Sequence, residues 1–252
     1  MHRLGNEPMS MKLISIGEAA SLLGISRDTL RRWDRTGRIT SIRSGFRGHR
    51  YYQQSDIDLF LRNELMLAQQ WATALVGVAP APEVYCQTRD VFQARLEKFQ
   101  SVVGSNVSLD MVSLISAVAG EIGNNSFDHN LGNWPDISGI FFAYDMRNKI
   151  VILADRGQGI LKTLKRVKPE LTTAAMALKV AFTETISGRS PEARGNGLKF
   201  VRSVIMDDPL TLYFQTGDAC LHIKQHDTEV MTEQATPFIR GCFATIGFDK
   251  PV

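Results

Sequence analysis

The sequence predicts an α+β protein in two parts: a small domain of short helices with a basic hairpin, then a larger two-layer α/β sandwich. Three observations predict it. Residues 13–62 carry short helical patterns around a basic, glycine-containing stretch. Residues 76–83 read Val-Gly-Val-Ala-Pro-Ala-Pro-Glu, where Pro80 and Pro82 cannot continue a helix and mark a linker. Beyond them, helical and strand patterns interleave to the end, as expected for helices laid on a largely antiparallel sheet. The expected parts are therefore a domain over 13–62, a helix and linker over 63–87, and a domain over 88–252.

Composition limits the function classes. The chain has 252 residues, 44% hydrophobic and 22% charged, ordinary for a globular protein. No apolar run approaches the ~18 residues that cross a bilayer. The opening Met-His-Arg-Leu-Gly-Asn-Glu-Pro lacks the apolar core of a secretory signal. Cys86, Cys220 and Cys242 form no Cys-x-x-Cys pair, which argues against a disulfide framework or a zinc site. A cytoplasmic protein with no membrane partner is expected. Charge is uneven: residues 1–62 hold 11 Lys/Arg against six Asp/Glu, a net of +5, whereas the rest nets −2. A basic end on a slightly acidic body suits contact with a polyanion.

The elements of the small domain follow in order. Ser15 can cap a first helix, with Glu18 three residues on completing a capping box. Ala19, Ala20, Leu22 and Leu23 supply packing residues, Gly24 permits a turn, Ile25 enters the core and Ser26 caps a second helix. On that helix Leu30 and Trp33 face inward, leaving Arg27, Thr29, Arg31 and Arg32 outward on an element of the size that enters a major groove. Gly45 and Gly48, flanked by β-formers, predict a hairpin wing bearing Arg43, Arg47, His49 and Arg50. Ser55 then caps a last helix over 56–61, separate from a helical run over 62–75. This segment resembles the winged helix-turn-helix of the MerR and excisionase-like family, down to the Gly37-Arg-Ile start and the Gly48-His-Arg-Tyr-Tyr52 end of the wing. The resemblance implies binding to double-stranded DNA. The helix from Arg27 would read bases through Arg27, Thr29, Arg31 and Arg32, and the wing would grip phosphates through Arg43, Arg47, His49, Arg50 and Tyr51.

In the large domain, helices are expected near 88–103, 108–130, 159–166, 171–184 and 197–206. Strands are expected near 137–145, 149–154, 210–215, 219–225 and 238–247. Glu121, Asn125 and His129 stand at i, i+4 and i+8, one face of a helix whose earlier part is apolar. Polar groups aligned at the end of a buried helix need partners, and a metal–nucleotide complex would supply them. Asn offers a neutral oxygen to Mg²⁺, and a nearby carboxylate can orient a water. The strand from Ile150 ends in Asp155-Arg-Gly157-Gln-Gly159, an acidic residue beside glycines that let backbone approach a flat ligand. Ser187-Gly188-Arg189-Ser-Pro-Glu-Ala-Arg194-Gly195-Asn196-Gly197-Leu198 is a basic, glycine-rich loop running into a helix N-terminus, a setting that favours phosphate.

In order and spacing these pieces resemble the N, G1 and G2 boxes of the GHKL ATPase superfamily, which has the Bergerat fold. The form Glu-x-x-x-Asn-x-x-x-His is nearest the anti-sigma-factor and histidine-kinase-like branch. The resemblance implies ATP and Mg²⁺ as cofactors, with Glu121 as general base, Asn125 as metal ligand and Asp155 as reader of adenine. His129, Gly157, Gly159, Gly195 and Gly197 would line the pocket, the loop over 185–196 would form a lid, and Thr245 would belong to a closing strand. Asn124 competes with Asn125 for the ligand role. His222 and His226, at i and i+4 in a β-like stretch with no third ligand, read as surface residues. The expected function is a DNA-binding regulator whose ATP domain switches conformation or oligomeric state, as a homodimer or with a partner protein. The alternative is an ATPase or anti-sigma-like Ser/Thr kinase delivered to DNA.

Overall fold

The computed structural model describes residues 12–23, 25–37, 39–44, 48–104, 107–185 and 197–248. The chain divides into two compact units, Met1–Asn63 and Glu64–Val252. Among the described residues no helix is long and apolar enough to cross a membrane.

The first unit runs β1 (Leu13–Ser15), α1 (Ile16–Leu22), α2 (Arg27–Arg35), β2 (Ile42–Ser44), β3 (His49–Gln53) and the opening turns of α3 (Gln54–Thr73). The capping box at α1 is formed: Glu18 N–H donates to Ser15 Oγ at 3.2 Å, and Ser15 N–H donates to the Glu18 carboxylate at 2.8 Å. Such a cap stabilises a helix by about 1 kcal/mol. Thr29 N–H donates to Ser26 Oγ at 3.1 Å and starts α2. Leu30 and Trp33 then meet Ile14, Ala19, Ala20, Leu23, Ile39, Tyr52 and Ile57 in one small core. The antiparallel sheet has the order β1-β3-β2. Two expectations change here. Strand β1 is added, too short to carry a periodic signal. The expected break near residue 62 is also absent, because α3 is continuous from Gln54 and does not start from a Ser55 cap.

The second unit continues α3 and adds β4 (Tyr85–Cys86), α4 (Arg89–Val103), α5 (Leu109–Asn130), β5 (Ile140–Asp145) and β6 (Ile150–Asp155). It ends with α6 (Gly159–Leu164), α7 (Ala174–Thr183), α8 (Gly197–Asp207), β7 (Leu210–Lys224) and β8 (Thr232–Phe248). The five strands lie in the order β4-β5-β6-β8-β7, every neighbouring pair antiparallel. Successive side chains of a strand point to opposite faces. Ile140, Phe142, Val151 and Leu153 accordingly join α4, α5, α7 and α8 in the main core. Phe141, Ala143, Ile152 and Ala154 face the other way, where Ala68, Trp71 and Ala72 of α3 cover them. The helical run that reads as a connection in sequence is thus packed onto the sheet. Strands expected at 210–215 and 219–225 are one strand, irregular where the β7–β8 register shifts around Gly217.

Candidate functional site

In the first unit, Arg27, Arg31 and Arg32 are exposed along α2, and Arg43 and His49 are exposed on the wing strands. Thr29 is half-buried, its hydroxyl 2.9 Å from Ser26 Oγ, and Tyr51 is half-buried between Ser15 and Ile42 in the sheet register. Arg50 has a partner within the unit. Its Nε donates to Asp34 Oδ2 at 2.7 Å, and Asp34 also accepts the Ser41 N–H at 2.9 Å. Burial pushes the Asp34 carboxyl up, but the Arg50 and Ser41 hydrogen bonds more than offset it and leave it below its ordinary value. Arg50 therefore ties the wing to α2. Arg47 lies outside the described residues.

In the second unit, α5, β6, α6, α8 and β8 enclose a cavity of about 90 Å³, open to solvent. Asn125, Ser126, His129 and Asn130 line it from α5, Asp155 from the end of β6, Gly159 and Ile160 from α6, Gly197 and Leu198 from α8, and Cys242 from β8. The helical face expected from residues 125 and 129 therefore does meet the end of β6. Asp155 is 2% exposed. Ser126 Oγ donates to its Oδ2 at 2.7 Å, and Gly157 N–H donates to its Oδ1 at 2.8 Å. Burial still dominates and pushes the carboxyl pKa up. Burial raises the Cys242 thiol as well, and the Asp155 charge adds to it.

Two glycines are dictated by this geometry. A Cβ on Gly241 would fall 2.2 Å from Asp155 Oδ1. Gly159 has φ +74°, and a Cβ there would sit 2.7 Å from the Arg240 carbonyl. Gly197, at the start of α8, is close enough to α5 that a Cβ would meet Glu121 Oε2 at 2.6 Å and Asn125 Nδ2 at 3.1 Å. Asn125 and the α8 N-terminus are thereby neighbours at one end of the cavity, and Glu121 lies beside Gly197 but is not among the residues lining the cavity. Asn124 and Asn125 have different surroundings. Asn124 Oδ1 accepts from Gln93 Nε2 of α4 at 2.8 Å, while Asn125 faces the cavity.

One expected residue is misplaced. Thr245 lies on the opposite face of β8 from the cavity: Cys242 and Ala244 face the helices, so residues 243 and 245 face away. Cys242 occupies the lining position instead. The expected Ser187, Gly188, Arg189, Arg194, Gly195 and Asn196 lie outside the described residues. Sequence reasoning missed Ser126 and Asn130, each one position past a residue it singled out. Asn130 accepts the Gln158 N–H at 2.8 Å and donates to the Ser126 carbonyl at 2.7 Å, which fixes the loop after Asp155. It also missed Arg156. That side chain is fully buried, with Nη2 2.6 Å from Asp136 Oδ2 and Nη1 donating to the Trp71 carbonyl of α3.

Comparison with known proteins bears first on the class of the N-terminal unit. Residues 15–52 match the model described as MerR family regulatory protein, so the first unit carries a MerR-type helix-turn-helix DNA-binding domain. Over 218 residues the chain is 25% identical to the type II methyltransferase M.Eco47II of Escherichia coli, an alignment covering 79% of this chain and 50% of that protein. The chain thus spans about half the length of the curated relative it matches. No solved structure matches it.

Proposed function

We propose that the chain is a DNA-binding regulator whose second unit binds ATP–Mg²⁺ in the cavity between α5, β6 and α8, in the manner of the GHKL ATPases. The observation that carries this reading is the buried Asp155 carboxylate on the cavity wall, with Asn125 and the α8 N-terminus gathered at one end. A buried carboxylate favours a ligand that donates a hydrogen bond to it, as the amino group of adenine does. The N-terminus of α8 suits the phosphates. Asn125, a neutral oxygen donor beside the Glu121 carboxylate, fits Mg²⁺, which when bound neutralises phosphate charge. Leu198, Ile160 and Phe214 would cover the base and exclude water.

Calorimetry of the full chain with ATP and Mg²⁺ tests this, with Asp155→Asn and Asn125→Ala as controls. Binding that is lost in both variants supports the reading, and wild-type protein that fails to bind ends it. A second reading, turnover of ATP by an ATPase or kinase, is favoured by Glu121 lying beside Asn125. Labelled ATP with and without candidate partner proteins decides it. The name of the E. coli relative invites a third, methyl transfer. Doubly wound nucleoside-binding sheets place ligands at the C-terminal edge of parallel strands, and every described strand pair here is antiparallel.

A further inference from the structure

The β7–β8 hairpin gathers a second chemistry that the cavity does not use. Ala219, Leu221 and Ile223 of β7 face the main core, so the alternating Cys220 and His222 turn to the other face of the sheet. Cys220 is paired in register with Glu233 of β8. The Cys220 sulfur, a His222 ring nitrogen and a Glu233 carboxylate oxygen all lie within 4.8 Å of one another. Cys220 is buried, whereas His222 and Glu233 are exposed. Tyr213 packs beside the group from β7: its ring lies 4.8 Å from that of His222, and its hydroxyl donates to Gln215 Oε1 at 2.6 Å.

We propose that Cys220, His222 and Glu233 form a binding site for a zinc-class divalent cation on the β7–β8 hairpin. Sulfur, imidazole nitrogen and carboxylate oxygen are the ligand types that Zn²⁺ takes, and a thiolate selects it over Mg²⁺. Tetrahedral zinc ligands stand ~3.3–3.6 Å apart, so closure needs rotation of the two exposed side chains about a fixed sulfur. The metal–sulfur bond forms as the S–H bond breaks, and the proton passes to water. Three protein ligands leave the fourth position to water. Bound metal clamps β7 to β8 beside the register shifts at Gly217, where ladder pairing is irregular.

The test is titration of chelator-treated full-length protein with Co²⁺, read by absorption. One equivalent should produce a thiolate-to-cobalt charge-transfer band, and Zn²⁺ should bleach it. Cys220→Ser should remove the band, while Cys86→Ser and Cys242→Ser keep it. His222→Ala and Glu233→Gln, both at exposed positions, should each weaken binding by about tenfold or more. The site is overturned if no sulfur band appears, if the band survives Cys220→Ser, or if both exposed-ligand variants bind Co²⁺ like the wild type.

Discussion

Asp155 sets a carboxylate against its surroundings. Its folded pKa lies above its unfolded value, so the folded form holds the proton more tightly. Its contribution to stability is present below the unfolded value of ~3.9 and is lost as pH rises toward the folded pKa. At neutral pH the ionised group therefore costs stability. Asp155→Asn should keep or raise the Tm at pH 7, and the gap from wild type should narrow as pH falls toward 4. Nucleotide binding should fall at least tenfold in the same protein. Thermal melts beside calorimetry check both, and a variant that melts lower at neutral pH would contradict the burial argument. The two asparagines should separate as well. Asn124→Ala loses the Gln93 hydrogen bond and about 1 kcal/mol of stability with Mg²⁺-dependent binding intact. Asn125→Ala loses the binding and keeps the stability. The helical spacing that exposed 121, 125 and 129 to sequence reasoning gives a face, not its edges. Ser126 and Asn130 were illegible because their partners, Asp155 and Gln158, are 29 and 28 residues away.

At the scale of elements, strand alternation decides which residues reach the cavity. Thr245 was misread because assignment to a closing strand does not say which face of it a residue takes. Counting from Cys242, which lines the cavity, puts residue 245 on the other face. The Cys220–His222–Glu233 cluster was hidden for the same reason: cross-strand register, not spacing along one strand, supplies the third ligand. Helices α4, α5, α7 and α8 were legible within a few residues because each carries a periodic apolar stripe, and Thr88, Ser108 and Thr173 cap the first three. Helix α3 was not, since polar Arg62, Asn63 and Glu64 interrupt its stripe just where it passes from one core to the other. The wing offers a prediction at this scale. Arg43 is exposed and Arg50 is held by Asp34, so Arg43→Ala should weaken DNA binding and lower its salt slope by about 1. Arg50→Ala should instead destabilise the first unit. Asp34, with its pKa depressed, contributes stability above ~3.9 that is lost as pH falls through its folded value. Acid melts of Arg50→Ala should therefore show a weaker pH dependence below 4 than the wild type.

Across the whole molecule, a switch requires that nucleotide and DNA bias the same equilibrium. If the second unit binds ATP as proposed, Arg156 is the candidate to carry that bias within it, since it follows Asp155 directly and holds both Asp136 and the last turn of α3. Helix α3 itself starts in the DNA-binding unit. If ATP changes DNA affinity by some factor, DNA must change ATP affinity by the same factor, and couplings of this kind run to about 5–150-fold. Both factors should therefore be measured on the full chain, DNA affinity with and without saturating ATP–Mg²⁺ and ATP affinity with and without DNA. Equal factors above about fivefold support the switch, and two factors of one mean that each unit binds its ligand independently. Arg156→Lys keeps the charge but loses the planar fork that reaches two partners at once. It should lower stability by about 1–2 kcal/mol through the lost hydrogen bond and bring both factors toward one, with each ligand still bound alone. A variant that retains the full coupling would move the path away from Arg156 and onto another contact of α3 with the sheet.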